Sequence, residues 1–568
     1  MEEYESLSAL EGVLTDVALP LDLPEAANAR EVAKRSARRL GDHILPRLQS
    51  LDAPLVCVVG GSTGAGKSTI VNSLVGQHVS ASSAKRPTTR SPLLLHRAED
   101  ARWFENERIL PTLPRRRVTT DAPPSAPSAD VGNELELRAN EQVPSGLAII
   151  DAPDLDSVVA DNRALARQLL DAADLWVFVT TAARYADAVP WRMLQDAAAR
   201  NIAIAVVLNR VPHGAVEEVR ADLSSMLAQA GLASAPLIAI EESALTDGMI
   251  SQENLRPLLN WLTSLTDTAA ARAETARRTL RGSVAELLDG LSLVESALVE
   301  QAVVATDGLA VLDARVDGAV RRVATQTGDG TLLRGEVLAR WQEVVGTAEL
   351  SRRIDEGVSW LKARVTGFLT GKPVSAQPVE AALGDGLRAL LADEIARTHD
   401  EVRRTWAQSR AMRDVEAEVE PVPTTRFDEM AKELTREWQR SLLQMVSDQA
   451  GSKKLSARFL AIGVNVLGVA LMIVIFASTG GLTGAEVGVA GATSVVAQRL
   501  LESVFGDQAV SSMTKQAHSD LQERFRAVVS ESLAPFTRSM PKVSDPEELS
   551  RAVQRARQTW ERGDHANL

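Results

Sequence analysis

Leu55-Val56-Cys57-Val58-Val59 leads into Gly61-Ser62-Thr63-Gly64-Ala65-Gly66-Lys67-Ser68, and Thr69-Ile70-Val71-Asn72-Ser73-Leu74-Val75 follows. The central eight residues read GxxxxGK[ST]. The apolar run before them predicts a buried parallel strand, and the stretch after them the first turns of a helix. Strand, glycine-rich loop and helix N-terminus, in that order, is the context a phosphate cradle requires. The glycines let the backbone wrap an anion while several N–H groups converge on it. In this reading Gly61, Ser62, Thr63, Gly64, Ala65, Gly66 and Thr69 line the phosphates of a nucleotide. Lys67 sits at the β- and γ-phosphates and Ser68 holds Mg²⁺. A glycine-rich turn that only joins a strand to a helix is the plain alternative, and the flanking pattern disfavours it.

Working outward, 568 residues are too many for one compact core, so two or more domains are expected. Aromatics are 4% of the chain against 45% hydrophobic residues, and an apolar mass of Ala, Leu and Val suits long helices. Cys57 is the single cysteine, which excludes an intrachain disulfide and a cysteine-rich metal site. It falls in the predicted buried strand and reads as a small core side chain. A net charge of −13 argues against nucleic acid as a partner. The acidic start Met1-Glu2-Glu3-Tyr4-Glu5 does not resemble a signal peptide, which places the N-terminal half in the cytoplasm.

Residues 1–50 read as a polar helix joining a bundle, with Val32, Ala37, Leu40, Ile44 and Leu48 on one face. Residues 51–265 alternate strands and helices. The strands are Leu55–Val59, Leu147–Ile150, Leu175–Val179, Ile202–Leu208 and Pro236–Ile240, with Asp161–Ala172 and Ala215–Ala230 among the helices. That alternation predicts an α/β head, a mostly parallel sheet with helices on both faces and ligand at the strand C-termini. The Arg-rich, then Pro-rich segment 111–146 reads as a surface excursion. From 266 to 455 the pattern is that of a helical stalk. Val284, Leu287, Leu291, Val294, Leu298, Ala302, Ala305, Leu309, Leu312, Val316, Ala319 and Val323 form a coiled-coil or bundle seam, with a stutter at Leu298–Ala302. Residues 501–568 read as helices returning to the stalk, with Val510, Met513, Ala517, Leu521, Phe525 and Val528 on one stripe.

Between them, 456–500 reads as a hydrophobic hairpin at the tip. Phe459–Ala477 is apolar apart from Asn465, and about 28 Å of helix at ~1.5 Å per residue approaches the bilayer core. Ser478-Thr479-Gly480-Gly481 reads as a turn, and Leu482–Ala497 as a second, glycine-rich leg carrying Glu486. Lys453, Lys454, Arg458 and Arg499 on the outer flanks place both ends at the cytoplasmic face. Length and apolarity favour the membrane over a buried core hairpin, and both spanning and dipping remain open.

Two further motifs belong with the loop. Pro87-Thr88-Thr89-Arg90-Ser91-Pro92 places a threonine where it can reach Mg²⁺ and sense the γ-phosphate. Leu147-Ala148-Ile149-Ile150-Asp151-Ala152-Pro153 ends a strand on a carboxylate suited to stand behind Mg²⁺. With Asn72-Ser73-Leu74-Val75-Gly76, these motifs resemble a dynamin-superfamily GTPase, most closely the bacterial dynamin-like membrane GTPases, over about residues 54–245. The resemblance implies GTP or GDP with Mg²⁺, and Ser68, Thr89 (with Thr88 in reserve) and Asp151 at the metal. It places Asn209 and Arg210 at the base-reading strand end and Ser243 and Ala244 in the later base loop. It also implies a lipid bilayer as partner, self-association through the heads and a possible paralogous dynamin-like protein. Three departures stand out. Asp154 replaces the family's glycine, Pro212 replaces the guanine-reading aspartate, and Thr63-Gly64 stands where eukaryotic dynamins carry Gln and Ser.

The leading expectation is a GTPase whose head drives a helical lever with its tip in a membrane, with slow or dimer-stimulated turnover. The alternative is a membrane-anchored nucleotide-binding scaffold, or a regulatory partner of a paralogous GTPase, with little hydrolysis of its own. An ABC-transporter ATPase subunit is disfavoured by the lack of a Leu-Ser-Gly-Gly signature.

Overall fold

A computed structural model describes residues 2–80, 91–105, 109–110, 112–120, 122–123, 134–153, 165, 168–333, 337, 340–341, 377–450, 463–477 and 487–566. Thr88, Thr89 and Asp154 lie outside the described residues, as do 459–462 and 478–486 of the expected hairpin. The chain divides into two compact units. Met1–Leu19, Glu25–Val299 and Ser544–Leu568 form the first, and Pro20–Pro24 with Glu300–Val543 the second.

Among the described residues the first unit holds an eight-stranded sheet. Its strands are β1 (Leu55–Gly61), β2 (Leu93–His96), β3 (Arg115–Val118), β4 (Leu135–Ala139), β5 (Leu147–Asp151), β6 (Leu175–Thr181), β7 (Ala203–Val211) and β8 (Leu237–Glu241). Their order is β3-β4-β2-β5-β1-β6-β7-β8, parallel except where β2 meets β5. Successive side chains of a strand point to opposite faces. Val56, Val58, Ile150, Trp176, Phe178 and Val206 accordingly enter one core, while Leu55, Cys57, Val59, Ile149, Val177 and Val207 enter another. A sheet buried on both faces needs apolar residues at every position, which is why β1 and β6 read as continuous apolar runs. Burial pushes the Cys57 thiol up to about 12, so it packs rather than reacts.

Segment 111–146 contains two strands where the sequence suggested only a surface excursion. β3 is an edge strand made of Arg115, Arg116, Arg117 and Val118, and charge on an edge blocks unwanted pairing while hiding the strand's apolar signature. Glu136 on β4, opposite Arg116, accepts from that guanidinium at 2.8 Å. β2, only four residues long, was equally illegible.

The same unit carries a helical bundle. Leu7, Leu10 and Leu14 of the Glu2–Thr15 helix meet Val32 of Ala26–Arg39, Val284 and Leu287 of Ala269–Gly290, and Leu549 and Val553 of Pro546–Ala566. Ala37, Leu40 and Ile44 are buried and Leu48 partly so, as their spacing required. Beside them lies a polar cluster. Arg39 pairs with Glu286 and Arg200 with Asp171 at 2.6 Å, while Arg47 reaches Asp174 at 3.1 Å. His43, in the π-helical turn Leu40–Ile44, is packed against this cluster. Desolvation holds its imidazole below the ordinary 6.5. Asp171 and Asp42 pull it up, and Arg39 and Arg200 push it further down.

The unfolded chain therefore binds this proton more tightly than the folded one. The contribution of His43 is full above the unfolded value and is lost as pH falls below it. Thermal unfolding of wild type should fall more steeply between pH 7.5 and 5.5 than that of His43→Gln. Parallel curves would count against the assignment.

In the second unit Leu312, Val316, Ala319 and Val323 of the Ser292–Gly328 helix join Leu387, Trp406, Trp438, Leu521 and Phe525 in one core. Val294 and Leu298 of that helix belong to the core of the first unit. The stutter at Leu298–Ala302 thus falls where the seam changes cores, and Leu309 beyond it is exposed. On the Asp507–Ser532 helix the stripe is buried as read, with Val529 in the core and Val528 only partly buried.

The described part of the apolar run is packed in protein. Val464–Phe476 is a 13-residue helix with Leu467–Phe476 buried in this core. Its length is about 20 Å at ~1.5 Å per residue, short of a bilayer core of about 30 Å. Phe476 lies 5.7 Å from Trp438, and the Ile475 carbonyl is 3.1 Å from His518 Nε2. Among the described residues no helix is long and apolar enough to cross a membrane. A helix apolar all round gives the same sequence signal in lipid and in a protein core, so hydropathy could not separate them.

Candidate functional site

The glycine-rich loop leaves the C-terminal end of β1, between β5 and β6. Gly61 has φ +147°, and a Cβ there would lie 1.9 Å from the Val179 carbonyl oxygen on β6. Only glycine lets the strands close at this point. Gly66, at φ +94°, caps the Lys67–Val75 helix, and a Cβ on it would lie 2.5 Å from Asn209 Nδ2. The loop thus ends on the N-terminus of a nine-residue helix, whose first amides and dipole favour an anion.

Lys67 is 6% exposed and folds back over the loop, its Nζ donating to Gly61 O at 3.3 Å and Ser62 O at 3.2 Å. Carbonyl acceptors hold this ammonium where phosphate oxygens would replace them. Ser62 is fully buried, and its Oγ has no hydrogen-bond partner among the described residues. Thr69 lies half-buried in the first helical turn, and Thr63 accepts from Arg184 Nη1 at 3.1 Å through its carbonyl. Gly64, at φ +76°, and Ala65 complete the loop.

Ser68 and Asp151 meet as their order in the chain implied. Asp151 ends β5, pairs in register with Val59 and is fully buried. Ser68 Oγ donates to Asp151 Oδ2 at 2.8 Å, and Ser80 Oγ reaches the same oxygen at 2.5 Å. Two hydroxyls and a carboxylate form a hard-oxygen donor set of the kind Mg²⁺ takes, so the residues present fit that ion.

Asn209, near the end of β7, is buried and donates from Nδ2 to Ala65 O at 2.9 Å, tying the end of β7 to the glycine-rich loop. Arg210 follows at φ +56°, within an irregularity of β7 between Leu208 and Val211. Ser243 and Ala244 are exposed in the loop after β8, which is anchored where Glu242 N donates to Val211 O at 2.9 Å. Beside Pro212, His213 Nδ1 and Glu241 Oε2 are 2.8 Å apart at the surface.

Sequence reading missed three residues here. Ser80 and Arg184 sit in loops whose course no local pattern fixes. Asn72 was quoted as part of a motif, yet its use, three hydrogen bonds to Val79 and Ser80, shows only in three dimensions.

Residues 56–211 match the family model described as the Dynamin family. No curated protein matches the chain. Among solved structures it is similar to two of an oligomerised bacterial dynamin pair, described as providing a mechanism for long-range sensing and tethering of membranes. One is 9% identical, with 93% of this chain and 91% of that one covered at a TM-score of 0.41. The other is 10% identical, with 99% and 94% covered at 0.42. Toc33 from Arabidopsis thaliana, in complex with Mg²⁺ and GMPPNP, is 16% identical, with 44% of this chain and 94% of that one covered at 0.24.

Proposed function

We propose, for a chain that belongs to the dynamin superfamily through residues 56–211, a GTPase head coupled to a helical remainder that acts on membranes. The observation that carries this reading is Lys67 and the Ser68–Asp151 pair set around a loop that only glycine can close. The amides of Ser62 through Thr69 and the Lys67 ammonium bind the phosphates. Ser68, Thr89 and Asp151 hold Mg²⁺, which when bound neutralises charge on the β- and γ-phosphate oxygens. Asn209, Arg210, Ser243 and Ala244 border the base. Asn209 acts by fixing the loop, and Asn209→Ala is expected to weaken nucleotide binding about tenfold, as the loss of one buried hydrogen bond implies. Calorimetry checks this, and an unchanged affinity would remove Asn209 from the site.

Thr63 and Gly64 stand at the two loop positions where eukaryotic dynamins carry the Gln and Ser that assist hydrolysis. Slow turnover by single heads follows, with acceleration when heads pair. Single-turnover hydrolysis should therefore speed up with protein concentration, and fast hydrolysis by dilute monomer would contradict the proposal. The bilayer is the proposed partner, at its cytoplasmic face, with a paralogous dynamin-like protein as a further one. The Val464–Phe476 helix must leave its protein core to enter lipid, so membrane binding by this segment requires an opening of the second unit.

Pro212 supports a second reading, a nucleotide-binding scaffold with little turnover. A GTPase assay on liposomes separates the two. Wild-type rates well above those of Lys67→Ala support the enzyme, and equal rates near background support the scaffold.

A further inference from the structure

We infer that Ser80 is a positioning residue of the Mg²⁺ site, holding the Asp151 carboxylate at the same oxygen that Ser68 reaches. The inference rests on the nucleotide reading above and adds a residue that the motifs do not contain. A carboxylate only accepts, so the Ser80 and Ser68 hydroxyls both donate, and both reach the same oxygen, Asp151 Oδ2. Two donors on one oxygen fix the plane of the carboxylate.

Ser80 is itself held. Asn72, fully buried, accepts from Val79 N at 3.0 Å and Ser80 N at 2.9 Å with Oδ1, and donates from Nδ2 to Ser80 O at 2.8 Å. Its backbone carbonyl also accepts from Gln77 N at 3.2 Å. Ser68 and Asn72 are four apart on the Lys67–Val75 helix and share a face. One helix therefore presents Ser68 to Asp151 directly and Ser80 through Asn72. Groups that orient a metal-facing carboxylate typically change metal affinity by about tenfold or more when removed.

The test is a Mg²⁺ titration of fluorescent mant-GDP binding to the full chain, alongside binding in EDTA. Ser80→Ala is expected to raise the half-saturating Mg²⁺ roughly tenfold and to leave binding in EDTA within about twofold. Ser80→Thr, which keeps the hydroxyl, should restore the wild-type titration. Should Ser80→Ala fail to fold, Ser80→Cys keeps the bulk without the strong donor and should show the same shift. An unshifted titration in a folded variant overturns the inference. So does an equal loss with and without Mg²⁺, which would make Ser80 a structural staple only. Wild-type binding that ignores Mg²⁺ overturns the site reading itself, and Ser80 falls with it.

Discussion

Lys67→Ala lowers triphosphate affinity at least about 100-fold and brings hydrolysis to background. In the proposed site the lysine would contribute a charge-assisted hydrogen bond to each of two phosphates, and such bonds are worth about 1.5–3 kcal/mol each. Together they amount to at least about 3 kcal/mol, and every 1.4 kcal/mol is about tenfold. The loop itself survives, because its shape is set by Gly61 against Val179 and by Asn209 on Ala65, and Lys67 adds only the long Nζ bonds to Gly61 O and Ser62 O at 3.3 and 3.2 Å. The variant should unfold near the wild-type temperature in the absence of nucleotide and fail to gain stability when GTP and Mg²⁺ are added. Titration with a fluorescent GTP analogue measures the affinity. A loss below about fivefold would mean that this loop does not carry the phosphates.

Trp438→Ala lowers the unfolding temperature of the second unit by on the order of 10 °C. The indole is fully buried, faces Phe476 on the apolar Val464–Phe476 helix, and donates from Nε1 to Ala517 O at 3.0 Å. Truncating such a side chain leaves a cavity and costs about 3–5 kcal/mol. In a unit of this size each kcal/mol moves the midpoint by about 2–4 °C. The residue thus holds together the helices that keep the apolar segment covered. Calorimetric unfolding checks the shift. A change under about 2 °C would mean that the Val464–Phe476 helix is not packed against Trp438.

How much of this was legible depended on whether a residue's role is set by its neighbours in the chain. Gly61 and Gly66 could be read because the glycine-rich motif is contiguous in the chain, although the contacts that require them, with Val179 and Asn209, come from elsewhere. Ser68 and Asp151 could be read because strand order alone brings the end of β5 beside the end of β1. Ser80 could not, since its place depends on Asn72 folding the chain back across the helix end. Arg184 could not, since only closure of the sheet brings the loop after β6 over Thr63. The strand Arg115–Val118 was hidden by its charged edge. The packing of the Val464–Phe476 helix was not legible because hydropathy records aversion to water and is silent on which apolar environment relieves it. Gln301 shows the converse. It is a polar residue inside the helical seam, fully buried because its side-chain amide clamps both backbone groups of Leu21 at 2.8 and 2.9 Å.

The central claim is that Gly61–Ser68 and Asp151 form a Mg²⁺-dependent guanine-nucleotide site despite Pro212. Isothermal calorimetry on the full chain with GTP, GDP and ATP, each with and without Mg²⁺, tests it most directly. The account predicts that GTP and GDP bind, that GTP binding strengthens with Mg²⁺, and that ATP binds at least about tenfold more weakly, the discrimination expected of polar readout of a base. ATP binding as tightly as GTP, or no heat from GTP at all, would contradict it.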